Sequence, residues 1–156
     1  MAAYALNNEL AGTQQATTTT YKTLIAMTAA TATLRRAFLY DVLMGCAGTP
    51  ANNSYVFDIS RQTAAGTSTS ATPTILDPAD AASGTVGSAN FTAEGTITAA
   101  SSVLNLAMNQ QASYRWVAYG DAQRLVVPGT NLNGFAGRAK SAAGTVICNM
   151  QFYYAE

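Results

Sequence analysis

The side chains able to do acid–base or covalent chemistry in this chain are few: eight carboxylates, two cysteines and no histidine. Histidine is the commonest general base near neutral pH, so its absence excludes Ser-His-Asp and Cys-His nucleophile systems. It also excludes zinc sites of the usual kinds, because Cys46 and Cys148 stand far apart with no CxxC or Cys/His cluster. Phosphate-cradling GxxxxGK[ST], GxGxxG and GxSxG patterns are absent. What remains is Glu9, Asp41, Asp58, Asp77, Asp80, Glu94, Asp121 and Glu156, any two of which could meet as a glycosidase-type pair. Only Asp77 and Asp80 have a suggestive local spacing. Helix capping explains it ahead of a calcium-ligand role: Asp77 is an N-cap type, Pro78 fits the first helical position and Asp80 faces the exposed amides. The expectation is a protein that is not an enzyme, with no cofactor and no metal.

Binding is the remaining kind of chemistry. Trp116, the single tryptophan, stands with Tyr114, Arg115 and Tyr119. It reads either as an aromatic platform for a sugar or partner side chain, or as an anchor in the core. Residues 1–20 read as a polar, extended arm ending in four threonines. Its isolated apolar points, Tyr4, Leu6 and Leu10, cannot make a core alone, and are the candidate partner-binding residues, set to fill pockets on a neighbour. The other reading of the arm is a disordered tail.

Composition narrows the partners. The chain has 156 residues, the size of one domain, and is 49% hydrophobic but only 10% charged. A disordered chain departs from average in the opposite direction. Net charge is zero and the only adjacent basic pair is Arg35-Arg36, so the clustered Lys and Arg that neutralise nucleic-acid phosphates are missing. A neutral surface rich in Thr, Ser and Asn suits close contact with other protein. The first ten residues lack the basic and apolar regions of a secretory signal, and no run of eighteen apolar residues exists, so the expectation is cytoplasmic synthesis without a membrane.

The elements that must position these residues are strands. Alternation with period two recurs over Tyr21-Ile25-Met27, Phe38-Tyr40-Val42-Met44-Cys46, Tyr55-Phe57-Ile59, Phe91-Ala93-Gly95-Ile97 and Val146-Cys148-Met150-Phe152-Tyr154. Successive strand side chains point to opposite faces, so this is the pattern of half-buried strands. Leu104, Leu106 and Met108 alternate in the same way, which argues for strands over 99–114 although Ala, Leu, Met and Gln suit a helix. Glycine, proline and asparagine clusters separate the runs. The low-complexity stretch 62–73 reads as a surface loop with an edge strand, and one helical turn is expected over 77–82. These signals predict an all-β fold, a β-sandwich or jelly-roll-like barrel of about seven to nine strands over residues 21–156, with the extended N-terminal arm outside it. Phe38, Tyr40, Val42, Phe57, Ile59, Phe91, Ile97, Trp116 and Phe152 form the predicted core, with Val146, Ile147 and Cys148 as neighbours. The cysteines are expected as free thiols facing the interior.

Several segments together carry a resemblance: Tyr21-Lys-Thr-Leu-Ile, Asp58-Ile-Ser-Arg61-Gln-Thr-Ala, Leu76-Asp-Pro-Ala-Asp80, Phe91-Thr-Ala-Glu-Gly-Thr and Tyr114-Arg-Trp-Val117. Over residues 21–156 the chain resembles the capsid cement or decoration proteins encoded among head-morphogenesis genes of tailed phages. The resemblance implies a structural virion protein on the capsid exterior. Its partner would be the major capsid protein, whose subunit contacts it stabilises, with self-association on the lattice. It offers no catalytic residues to carry over. The alternative function is a tail, fibre or glycan-binding β recognition module.

Overall fold

The computed structural model describes residues 1–10 and 15–156. Thirteen strands appear among them: β1 (Ala3–Asn7), β2 (Ala16–Thr17), β3 (Lys22–Ala29), β4 (Ala37–Ala47), β5 (Ser54–Ala64), β6 (Thr67–Ala71), β7 (Thr74–Ile75), β8 (Thr85–Ala93), β9 (Thr96–Asn109), β10 (Ser113–Val117), β11 (Leu125–Val127), β12 (Gly134–Ser141) and β13 (Val146–Ala155). The alternating runs became strands as their period requires, and Leu104, Leu106 and Met108 lie on β9 facing the core. The count exceeds the predicted seven to nine because β2, β7 and β11 have two or three residues each, too few to show a period.

Two antiparallel sheets pack face to face. One, here the terminal sheet, runs β10-β4-β13-β1-β7, with β11 also on β4 and β2 also on β13. The other, the ribbon sheet, runs β6-β8-β3-β12-β5-β9. Tyr55, Phe57, Ile25, Met27 and Phe135 of the ribbon sheet meet Val42, Met44, Met150, Phe152 and Tyr154 of the terminal sheet in one core. Gly137 marks the closest approach, because a Cβ there would stand 2.2 Å from Met150 Sδ and 2.9 Å from Phe152.

The ribbon sheet is strongly curled. β5 continues into β6 and β8 into β9 through links at 65–66 and 94–95, and the two long strands pair from Ser54↔Asn109 to Ala71↔Gly87. The halves of this ribbon lie at opposite edges of the sheet. In a flat sheet β5 and β6 would stand about 19 Å apart, beyond the reach of a two-residue link. The sheet therefore bends until its edges meet. A Cβ on Gly66 would fall 2.1 Å from the Ala93 carbonyl oxygen, and one on Gly95 would fall 2.6 Å from that of Ala64. Only glycine permits such backbone contact. The curl accounts for β3, which is buried on both faces from Thr23 to Ala29. It also places the low-complexity stretch: 62–64 end β5 and Thr67–Ala71 form β6.

Three expectations are corrected. The first is the arm. β1 is an interior strand, paired with β13 on one side and β7 on the other. β2 pairs with Val146 and Ile147 of β13, while residues 11–14 of the expected arm lie outside the described residues. Burial decides this, since two alternating apolar residues complete a sheet that already exists and so need no core of their own. The second is the helical turn over 77–82, which is a hydrogen-bonded turn. Asp77 accepts the Ala79 amide on its carboxylate (3.0 Å) and the Asp80 amide on its carbonyl (2.9 Å). The chain then leaves, with the Ala81 carbonyl taken by the Tyr4 hydroxyl (2.9 Å). The sole helical turn among the described residues is a 3-10 turn, Asp121–Gln123.

The third correction concerns the face of β4. Tyr153 pairs with Asp41 but Tyr154 pairs with Leu39, so Tyr40 is an extra, bulged residue. A one-residue bulge exchanges the faces on either side of it. Ala37 and Leu39 are therefore buried before the bulge and Val42 and Met44 after it, while Phe38 and Tyr40 are only half-buried. Ile97 and Trp116 are also half-buried, and Ile147 is exposed with Val146 and Cys148 inside. Phe57, Ile59, Phe91 and Phe152 are buried as predicted.

Candidate functional site

The predicted partner-binding residues pack in or against the chain's own core. Tyr4 is 1% exposed, stacked on Tyr154 at 5.3 Å between ring centroids. Leu6 is equally buried and seats on Gly87 of the opposite sheet, where a Cβ would strike it. Leu10 is partly buried against the same core. Nearby, two buried amides act as surrogate backbone. Asn8 donates to the Cys148 carbonyl (2.8 Å) and accepts the Met150 amide (2.8 Å). Gln15 donates to the Phe91 carbonyl (2.8 Å) and accepts the Phe91 amide (2.9 Å). Gln15 serves β8 next to Asn90, whose φ of 51° breaks the regular ladder. The described residues of the N-terminal segment help hold the fold.

The carboxylates are mostly engaged in holding the fold. Asp58, on the outer face of the ribbon sheet, accepts from Arg138 Nε (3.0 Å) and Nη2 (2.6 Å), Ser60 Oγ (2.6 Å), Ser102 Oγ and Asn105 Nδ2 (3.3 Å). Burial pushes its carboxyl up, but the hydrogen bonds from Ser102, Ser60 and Arg138 outweigh that and hold it below the ordinary range. The Arg138 guanidinium also lies 4.6 Å from the centroid of the Tyr21 ring, and Lys140 stands 4.7 Å from the same ring. Glu94 binds Lys22 (3.4 Å) and the Thr23 amide. Glu156 accepts from Ser83 Oγ (2.6 Å), the Gly84 amide (2.8 Å) and Thr85 Oγ1. Among the described residues no three Cys, Asp or Glu side chains gather as a metal site, and no helix is long and apolar enough to cross a membrane.

An open groove of about 510 Å³ lies on the outer face of the terminal sheet. Strand register builds it. Arg115 of β10, Leu43 of β4, Gln151 of β13 and Asn7 of β1 stand side by side in one row. In the next row are Ser113, Gly45 and Asn149. Gly45 is the floor, since its missing side chain lowers the middle of the sheet between Ser113 and Asn149. Arg115 closes one end with a bidentate ion pair to the buried Asp41 (Nε to the two oxygens, 3.0 and 3.1 Å). Glu9 stands among the lining residues too. The lining therefore offers amide donors and acceptors, the hydroxyls of Ser113 and Tyr114, a strip of aliphatic surface and the Glu9 carboxylate, with its one cation paired to Asp41. That chemistry suits hydrogen-bonding groups such as those of polypeptide or sugar hydroxyls.

Trp116 does not join this groove. Strand alternation sets it beside Val42 on the inner side, packed at the rim of the core, while Arg115 between it and Tyr114 points outward to Asp41. The platform reading thus breaks up across two faces. Sequence reasoning missed Asn7, Gly45, Asn149 and Gln151 because they come from three distant strands and carry no motif. Their one shared signal is polarity on the solvent side of alternating runs. No family model, curated protein or solved structure matches the chain.

Proposed function

We propose that this chain is a structural virion protein that binds the outer surface of a phage capsid and stabilises contacts between major capsid protein subunits. The capsid part of the reading comes from the resemblance of residues 21–156 to cement proteins. The observation that supports attachment is the amide-lined groove over Gly45, whose polar and aliphatic lining suits contact with another surface. Because Tyr4 and Leu6 belong to the core, attachment comes from the folded face of the terminal sheet and not from an arm. A groove of this size gives modest affinity for each copy, and repetition around a lattice multiplies it. Sedimentation with empty capsids tests the reading: binding at a fixed ratio of copies to capsid protein supports it, and no binding at any ratio sinks it. The same groove favours one second reading, a glycan-binding module, because side-chain amides over a shallow aliphatic floor also suit sugar hydroxyls. Binding to isolated glycans without capsids would select that reading.

A further inference from the structure

We propose that Cys46 and Cys148 form an oxidation site, at which a small-molecule disulfide converts two free thiols into a cross-strand disulfide joining β4 to β13. This is independent of what the protein attaches to. The residues are direct partners in the β4–β13 register, and their sulfurs stand 3.5 Å apart. The Cys148 amide donates to the Gln15 carbonyl (3.4 Å) and its carbonyl accepts from Asn8 Nδ2 (2.8 Å). Both peptide groups thus point away from β4, which makes Cys46–Cys148 a non-hydrogen-bonded pair, the kind in which facing side chains lie closest. Cα atoms in such pairs are about 4.5 Å apart, inside the roughly 4.4–6.8 Å range of disulfides. The sulfurs need to close by about 1.5 Å to reach bonding distance.

The surroundings give the two thiols different tasks. Cys46 is half-buried and reachable, whereas Cys148 is fully buried behind it. Thr17 Oγ1 donates to the Val146 carbonyl (3.0 Å), so it accepts from the Tyr55 hydroxyl, which in turn accepts from Cys148 (2.6 Å). The Cys148 sulfur is left open to its neighbour on the Cys46 side. The hydrogen bond with Cys148 and burial push the Cys46 thiol up, so in the first step Cys46 loses its proton to the departing thiolate as its sulfur attacks one sulfur of the oxidant, whose S–S bond breaks. In the second step the Cys148 sulfur, losing its proton to the leaving group, displaces the remaining thiol from Cys46. Two S–H bonds are lost, one S–S bond forms and the oxidant is reduced to two thiols. The new bond spans 102 residues of chain, so it restricts the unfolded ensemble strongly.

Oxidised glutathione is the probe for the test. The full chain is incubated with it, quenched in acid, denatured, alkylated with iodoacetamide and weighed. The expected product is a monomer lighter by two hydrogens, with no alkylation and no adduct. Its thermal midpoint should rise by roughly 5–15 °C and fall back with dithiothreitol. Cys148→Ser should stop at one glutathione adduct on Cys46, and Cys46→Ser should remain unmodified while folded. Two alkylated cysteines after prolonged exposure, a lasting adduct on the wild-type chain, or disulfide-linked dimers would each overturn the proposal.

Discussion

The outer faces of the two sheets are built from similar charge-poor strands and come to opposite ends. On the ribbon sheet the outward row Arg138, Asp58 and Asn105 closes into a network with Ser60, Ser102 and Tyr21. Its polar groups satisfy one another, and the curl through Gly66 and Gly95 covers much of β3. On the terminal sheet the corresponding row, Arg115, Leu43, Gln151 and Asn7, is interrupted by an aliphatic residue and undercut by Gly45. One face has turned its polar side chains inward onto a buried carboxylate, and the other sets amides around a hollow. The lesson is that a charge-poor strand surface becomes a site only where the sheet is not closed over it.

The largest expected effect comes from opening the closed face. Asp58→Asn leaves Arg138, only 18% exposed at its side chain, without its counter-charge, and should cost about 3–5 kcal/mol in denaturant unfolding. The same residue gives a pH signature. Its carboxyl is held below the ordinary range, so its stabilisation is complete above about pH 4 and is lost as pH falls through the folded-state value. Wild-type stability should drop in that acid window more steeply than that of Asp58→Asn, and parallel curves would remove the network from the account.

Truncating the inner side of the open sheet should cost nearly as much. Tyr4→Ala removes a fully buried ring stacked on Tyr154, for an expected loss of about 3–5 kcal/mol. A loss under about 1 kcal/mol would return the N-terminal segment to the status of an arm. Between the sheets, Gly137→Ala would drive a methyl against Met150, Ile25 and Phe152, at about 1–3 kcal/mol of overpacking.

Filling the hollow should affect stability least. The nearest atom to a Cβ on Gly45 is 3.5 Å away, in ordinary contact, so Gly45→Val should change stability by no more than about 0.5 kcal/mol. If the groove is the attachment surface, the same substitution should weaken capsid or glycan binding at least tenfold. Unchanged binding with unchanged stability would move the attachment surface elsewhere.

Much of the fold was legible because a strand writes its period directly into the chain. Leu104, Leu106 and Met108 set β9 against a composition that favours helix, and Val146 to Tyr154 set β13 with its faces correctly assigned. Phe38 and Tyr40 misled, since a bulge shows no mark in the sequence and reverses every assignment beyond it. Tyr4 and Leu6 misled for another reason. A short strand has too few residues to declare itself, and its burial depends on partners some seventy to a hundred and fifty residues away.

By itself the sequence determined that histidine chemistry is absent and which class of fold is present. No histidine, scattered carboxylates and a neutral charge balance are facts of composition, and period-two alternation follows from backbone geometry alone. Tertiary structure decided what the polar residues do. Asp58 became a closed structural charge, Asn8 and Gln15 became surrogate backbone, and Asn7, Gly45, Asn149 and Gln151 became one groove. Cys46 and Cys148 likewise became neighbours only through register. The physical reason is that antiparallel pairing joins residues by their distance from a turn and not by sequence neighbourhood, so a site written across four strands exists only after the sheet has formed.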